Sequence, residues 1–159
     1  MPDAKDTLVS WLRDAHAMEV AAAKNLKNNV DRFEKSPQIS AGFDEHRSFS
    51  ELQAQELEAC LQRLDADPSM LKDSAMKLAG LMQPFLTAMS ADEHVKHLLA
   101  AHAYTHFEVA SYHSLAAASQ QIGETGIAEV CQRFMEKERA FADWIDQQIP
   151  EISRQYINR

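Results

Sequence analysis

Apolar residues recur every three or four positions along four long stretches of the chain, the spacing of one face of an α-helix. The first stretch runs from about Asp3 to Val30. The second begins after Ser36-Pro37, which supplies a cap residue and a proline suited to a first helical turn, and reaches about Asp65. The apolar stripe of the first is Leu8, Leu12, Ala15, Glu19, Ala22 and Leu26, and that of the second is Ile39, Phe43, His46, Phe49, Gln53, Leu57, Cys60 and Leu64.

Two further helices are predicted in the second half of the chain. Ser90 with Glu93 forms a capping box that opens the third helix, and Gly123 closes it. The fourth begins near Glu124 and is expected to end at Pro150, with a short helical tail beyond the proline. The stripe of the fourth helix is Ile127, Cys131, Phe134, Glu138, Phe141 and Ile145.

The connection between the second and third helices is long and itself mostly helical. It restarts at Asp67-Pro68 and continues to Met89, with Pro84 expected to end or kink it. A segment of this length can return along a bundle, which would leave the second and third helices parallel. The sequence therefore predicts an all-α fold, a four-helix bundle with a helical crossover, and a single domain over residues 1–159.

Composition supports helices and narrows the possible partners. Glycine (4) and proline (5) are scarce among the 159 residues, and alternating strand patterns are missing. The net charge of −8 argues against nucleic-acid binding. No apolar run reaches membrane-spanning length, and the first residues do not resemble a signal peptide. Cys60 and Cys131 give no disulfide framework, although both lie on inward faces near one end. We expect a cytoplasmic protein.

Three glutamates occupy apolar stripes, where an unpaired charge is costly to bury. They are Glu19, Glu108 and Glu138. In the crossover bundle these positions and position 49 fall at nearly one level, about 21 to 24 Å from one end at about 1.5 Å of rise per residue. The carboxylates are therefore expected to meet. Three unpaired carboxylates in one core need cations, protons or hydrogen-bond donors.

Two interpretations of this level follow from the residues alone. One is a dimetal site of the kind built in helical bundles, which commonly adds Glu-x-x-His pairs that this chain lacks. The other is a hydrogen-bonded polar layer formed by the glutamates with His46, Gln53 and Tyr112. Spacing alone favours the polar layer.

Several other histidines could also contribute to a site. His102 and His106 are four residues apart on one helix face, a spacing that can bind a metal. His94 and His97 lie near a helix start and are expected to be solvated. His16 precedes the first of the three glutamates by about one turn and is placed to orient it.

Three segments resemble the YciE/YciF family of bacterial ferritin-like proteins, and the YciE branch more closely. They are Trp11-Leu-Arg-Asp-Ala-His-Ala-Met-Glu19, Phe107-Glu-Val-Ala-Ser-Tyr112 and Glu138-Arg-Ala-Phe-Ala-Asp-Trp144. The resemblance covers nearly the whole chain. It implies a ferritin-like four-helix bundle with a crossover helix, often dimeric, linked to bacterial stress responses and to a di-iron carboxylate site.

The family pattern also implies which residues would hold metal. It carries glutamates at the positions of Glu19, Glu108 and Glu138, and these match. It carries two more at positions where this chain has Phe49 and Thr105, neither of which can replace a carboxylate. The resemblance therefore implies a reduced site with at most one tightly held metal ion per chain, or none.

The predicted function is that of a ferritin-like bacterial stress-response protein with a full or degenerate di-iron-type site. Iron is the expected metal, and the expected chemistry is redox reaction with oxygen or peroxide. The alternative is a non-enzymatic dimeric bundle that acts through protein–protein contacts. A homodimer is expected, with neither nucleic acid nor membrane as a partner. The predicted metal ligands are Glu19, Glu108, Glu138 and His46.

Overall fold

Four long α-helices dominate the computed structural model, which describes residues 1–71, 76, 78, 80 and 94–159. They are α1 (Ala4–Arg32), α2 (Pro37–Arg63), α3 (His94–Gln121) and α4 (Thr125–Ile157). A short 3₁₀-helix, Pro68–Met70, follows α2, and no strand occurs in the described ranges. The predicted all-α four-helix bundle is confirmed. Within those ranges no helix combines the length and apolar character that crossing a membrane requires.

The relative directions of the helices require a crossover connection between α2 and α3. Asn29 and His97 line one cavity, whereas Trp11 and Leu115 line another, so α1 and α3 are antiparallel. The short turn between α1 and α2 makes these two antiparallel as well. Consequently α2 and α3 run parallel, and the chain between them passes from one end of the bundle to the other. Leu78 of this connection is buried in the core.

Most of the predicted crossover segment lies outside the described residues. Pro84 and the capping box of Ser90 and Glu93 lie outside the described residues. Met76, Leu78 and other isolated positions of the connection are described, and they are helical. The remaining predicted helix boundaries agree with the structure to within two residues, with one exception at the end of α4.

The exception is Pro150, which does not end the fourth helix as predicted but lies inside it. A proline within a helix removes the hydrogen bond to the carbonyl four residues earlier, here that of Asp146, at a cost of about 3 kcal/mol. Ile145 and Ile152 are 0% and 6% exposed, so the apolar stripe continues across the proline. Burial of the last turns offsets the cost, and α4 continues to Ile157.

An aromatic cluster closes the end of the bundle where α1 meets α2. The rings of Phe33 and Phe43 stack with centroids 5.6 Å apart. Phe43 also packs edge-on against Phe141 at 6.0 Å and Trp144 at 5.5 Å. Gly42 permits this packing, because a Cβ there would lie 2.2 Å from Cζ2 of Trp144. The cluster fixes α2 against α4 next to the level of the glutamates.

A candidate metal centre

The three predicted glutamates converge in the core of the bundle. Glu19 comes from α1, Glu108 from α3 and Glu138 from α4, and their exposed fractions are 0%, 3% and 0%. One carboxylate oxygen from each lies within 4.8 Å of the others. The prediction that these side chains point inward at one level is confirmed. Helical periodicity explains it, since each glutamate occupies a stripe position at the same depth.

The second helix contributes hydrogen-bond donors instead of a carboxylate. Gln53 donates to Oε1 of Glu19 at 2.9 Å and to Oε1 of Glu138 at 3.0 Å. His46 Nε2 donates to Oε2 of Glu138 at 2.8 Å. The hydroxyl of Tyr112 donates to Oε1 of Glu19. The predicted polar layer is therefore present, and it surrounds the carboxylates.

Burial and mutual repulsion make this cluster hard to ionise. Burial raises the pKa of Glu19 from 4.5 to about 8, with a further contribution from the charge of Glu138, while the Tyr112 hydroxyl opposes the shift. The pKa of Glu108 is raised well above its usual value, first by burial and then by repulsion from Glu138 and Glu19. Without a cation, protons must stabilise the cluster at neutral pH.

Two carboxylate oxygens remain available when the cluster is ionised. Oε2 of Glu19 and Oε2 of Glu108 receive no hydrogen bond from any part of the chain that the structure describes. Buried acceptors of this kind are costly unless something binds them. Hard divalent cations prefer oxygen ligands of this type. Three carboxylates that share one small volume therefore fit one metal ion, and no Glu-x-x-His pair is present to hold a second.

Positions 49 and 105 contribute nothing to the cluster. Phe49 is only half-buried, and its ring packs under the ammonium of Lys137, whose Nζ lies 3.6 Å from the ring centroid. The expectation that Phe49 faces the core is wrong, because the small side chain of Ser50 takes the inward position. Thr105 is buried, and its hydroxyl donates to the carbonyl of Ala101 at 2.7 Å.

The two histidines nearest the cluster in sequence have different roles. His46 stacks on Phe141 with ring centroids 3.6 Å apart, which fixes its imidazole against Glu138. His16 was expected to orient Glu19, but its Nε2 lies 2.8 Å from Oε1 of Glu58 on α2. That interaction directs the imidazole towards α2, and the expectation for His16 is wrong.

The histidines of α3 lie outside the first layer around the carboxylates. His94 is half-buried and His97 is 5% exposed, so the expectation that both are solvated is wrong for His97. The rings of His102 and His106 lie 4.6 Å apart, as their spacing predicts, and His102 Nε2 is 3.8 Å from Oδ1 of Asp146. This pair is on the outer face of α3 and is separate from the buried cluster.

The two cysteines are buried free thiols, as their inward positions predict. Burial raises the pKa of Cys131 to about 12, and the neighbouring Cys60 contributes to the shift. Burial likewise raises the pKa of Cys60. Neither thiol is a nucleophile at neutral pH, because the thiolate is the reactive form.

A cavity that the sequence did not predict reaches the cluster from one side. Its volume is about 270 Å³, and it lies between α1 and α3 with Glu108 and His46 in its lining. Small side chains at Ala22 and Ala101 leave this space open. Those alanines were the only signal in the sequence, and alanine is too common in helices to predict a cavity.

Comparison with known proteins finds a matching family and several similar solved structures. A family model described as a domain of unknown function, DUF892, matches residues 3–158. A solved structure of a protein from Xanthomonas campestris pv. campestris aligns with 99% of this chain and 98% of its own, at a TM-score of 0.82 and 25% identity. The E. coli stress protein YciF aligns with 97% of this chain and 99% of its own, at a TM-score of 0.80 and 17% identity. The likeness to YciF shows a shared fold.

Proposed function

The chain belongs to the DUF892 family, and on this premise we propose that it binds one iron ion per chain at its buried carboxylates and serves in a bacterial stress response. The resemblance to YciF-like proteins is confirmed, whereas the closer likeness to the YciE branch stays a prediction. One observation carries the proposal: three buried carboxylates lie within 4.8 Å of one another, and two of their oxygens have no donor among the described residues. Bound iron would supply redox chemistry with oxygen or peroxide.

The residues around the cluster divide into proposed ligands and residues that orient them. Glu19, Glu108 and Glu138 are the proposed ligands. His46 already donates to Glu138, so it holds that carboxylate in place and could become a fourth ligand only by giving up this hydrogen bond. Gln53, Tyr112 and His46 form hydrogen bonds with the other oxygen of Glu19 and with both oxygens of Glu138.

Metal analysis tests this proposal directly. Protein purified without chelator is titrated anaerobically with Fe(II), and bound metal is measured by mass spectrometry. We expect about one equivalent per chain. Glu138→Gln should lose it, because a neutral amide replaces one of three carboxylates. Glu136→Gln is the matched control on the same helix, since Glu136 is exposed, and it should bind as the wild type does.

Three results would contradict the proposal. Equal iron binding by the wild type and Glu138→Gln would place the metal elsewhere. Two equivalents with the spectrum of a coupled di-iron centre would show that the reduced ligand set still builds a full site. Absence of bound iron in the wild type would refute the proposal and would leave the polar layer as a purely structural feature.

We also propose a homodimer, which is the basis of the alternative function through protein contacts. Trp11 and Phe107 are 42% and 44% exposed and line one groove on the surface of α1 and α3. Large exposed apolar side chains that share a groove are typical of interfaces. Sedimentation velocity should show a dimer for the wild type. The double variant with Trp11→Ser and Phe107→Ser should dimerise more weakly. A monomeric wild type at high concentration would exclude it.

A further inference from the structure

Asparagines replace apolar side chains where the end of α1 lines the cavity between α1 and α3. Asn29 takes the next stripe position after Leu26, and Asn25 and Asn28 lie within about one turn of it. Asparagine is a weak helix former, because its amide competes for the backbone hydrogen bonds of the helix. Three asparagines so close together near the end of a long helix therefore point to a use for their amides.

The amides share one face of α1 with a guanidinium, and that face forms a wall of the cavity. Spacings of three, four and seven residues after Asn25 place Asn28, Asn29 and Arg32 there, and all four residues line the cavity. Asn29 is only 8% exposed, yet its side chain forms no hydrogen bond within the described ranges. A buried amide of this kind needs a partner inside the cavity, because its desolvation is otherwise uncompensated.

Other polar groups of the lining already have partners. The hydroxyl of Tyr104 donates to the carbonyl of Met18 at 2.6 Å. Nε2 of His46 is bonded to Glu138, and His97 also has a partner. The amides and the guanidinium of α1 are therefore the groups available to recognise a ligand. Apolar side chains complete much of the remaining lining, namely Ala22, Leu26, Ala101 and Phe141.

Arg32 gives one end of the cavity a positive charge. Its side chain is exposed and forms no ion pair in the part of the chain that the structure describes, so this end is open to solvent. It lies about 20 Å beyond Glu19 along α1, at about 1.5 Å of rise per residue, and is therefore remote from the buried carboxylates. A guanidinium can bind a carboxylate through two parallel hydrogen bonds. An anionic group is favoured at this end of the cavity.

We infer that this cavity binds a small hydroxycarboxylate, with its carboxylate on Arg32 and its hydroxyl on the amide of Asn29. A hydroxyl suits an amide because it can donate to the carbonyl oxygen or accept from the NH₂ group. A hydrocarbon chain alone would cover Asn29 without giving it a hydrogen bond, which weakens binding. The two residues are about one turn apart, roughly 4.5 Å along the axis, which a four-carbon chain can span. The inference goes beyond the proposed function and does not require bound metal.

Three probes separate the contributions of the carboxylate and the hydroxyl. 4-Hydroxybutanoate carries both groups, pentanoate has a methyl group in place of the hydroxyl, and 1,4-butanediol has a hydroxymethyl group in place of the carboxylate. Each is titrated into the protein, and binding is followed by ¹H–¹⁵N correlation spectra that include the asparagine side chains. We expect saturable binding of 4-hydroxybutanoate, with shifts of the Asn29 amide, and binding of the other two that is weaker by about fivefold or more, the effect of losing one hydrogen bond.

Two further titrations identify other modes of binding. The probes are titrated into the protein as purified and again after treatment with chelator, and the affinities should agree. Binding of 4-hydroxybutanoate only to the metal-containing protein would overturn the inference, because the probe would then be a metal ligand. Inorganic phosphate that binds as tightly as 4-hydroxybutanoate would also overturn it, because the site would then recognise charge alone.

Substitutions on α1 assign the two contacts. Arg32→Gln should weaken binding of both carboxylates by about fivefold or more and leave 1,4-butanediol unchanged. Asn29→Leu should abolish the preference for 4-hydroxybutanoate over pentanoate, and Asn29→Ala serves the same purpose if leucine impairs folding. Lys24→Gln is the matched control for charge, because Lys24 is exposed on the same helix and is not part of the lining.

The control variant should bind all three probes as the wild type does. Three results would overturn the inference: no saturable binding of 4-hydroxybutanoate, equal binding of 4-hydroxybutanoate and pentanoate by the wild type, or a preference that survives both substitutions of Asn29. Equal effects of Arg32→Gln and Lys24→Gln would also contradict it, because a general loss of positive charge would then explain the result.

Discussion

Replacing Glu19 with glutamine separates the charge of the cluster from its packing. In the folded protein the pKa of Glu19 is about 8, against an ordinary value of 4.5 that applies to the unfolded chain. Between these two values the folded state retains a proton that the unfolded state has lost. The contribution of Glu19 to the stability of the metal-free wild type must therefore fall as pH rises from 4.5, and this contribution stops changing near pH 8, above which Glu19 is ionised in both states.

The size of the effect follows from the same two values. Each pH unit inside this window costs about 1.4 kcal/mol, so the accumulated loss from 4.5 to pH 7 is about 3 kcal/mol. A glutamine at this position has no such proton, and its amide oxygen can still accept from Tyr112 and Gln53. We expect Glu19→Gln to match the wild type near pH 4.5 and to be more stable by about 3 kcal/mol at pH 7.

Urea unfolding followed by circular dichroism, with chelator present, measures this difference at each pH between 4.5 and 9. Glu136→Gln should follow the wild-type profile throughout, because that side chain is exposed. Adding excess divalent metal should stabilise the wild type but not Glu19→Gln. The wild type should then become the more stable of the two proteins. A stability difference that does not change with pH, or one that shrinks as pH rises, would refute the electrostatic account.

Three other substitutions test particular contacts. Gly42→Ala should destabilise the protein by about 1–3 kcal/mol in urea unfolding, because the new methyl group overlaps the ring of Trp144, and a gain in stability would contradict this. Gly126→Ala should stabilise it by about 0.5 kcal/mol in the same assay, because the methyl group meets only the mobile end of an arginine side chain. Tyr112→Phe removes a hydroxyl that lowers the pKa of Glu19, so the fall in stability should extend to higher pH than in the wild type. A pH profile that coincides with that of the wild type would count against this contact.

The convergence of the glutamates was predictable because two regular quantities determine it. Helical periodicity assigns Glu19, Glu108 and Glu138 to inward faces, and the rise per residue assigns them to one depth. Both quantities follow from positions in the sequence, and neither depends on which neighbouring side chains each helix contacts. The same reasoning placed His46 and Gln53 at this level, and the structure shows both hydrogen-bonded to the cluster.

Side-chain directions at the edges of a stripe were not predictable in this way. Phe49 and Ser50 both satisfy the three-four spacing from His46, and hydrophobicity alone favoured the phenylalanine. The core at this level is polar, so the small side chain of Ser50 faces it. The ring of Phe49 packs instead against the ammonium of Lys137 at the surface. His16 was misjudged for a similar reason, because its partner Glu58 lies on another helix and is distant in sequence.

The bundle consists of two helical hairpins, and the carboxylates lie on the seam between them. Contacts are concentrated within α1–α2 and within α3–α4, so each hairpin can form from short-range interactions. Glu19 belongs to the first hairpin, whereas Glu108 and Glu138 belong to the second. Docking of the hairpins therefore brings like charges together at a late, long-range step. Proton or cation concentration should control the rate of that assembly step, while the formation of each hairpin stays unaffected.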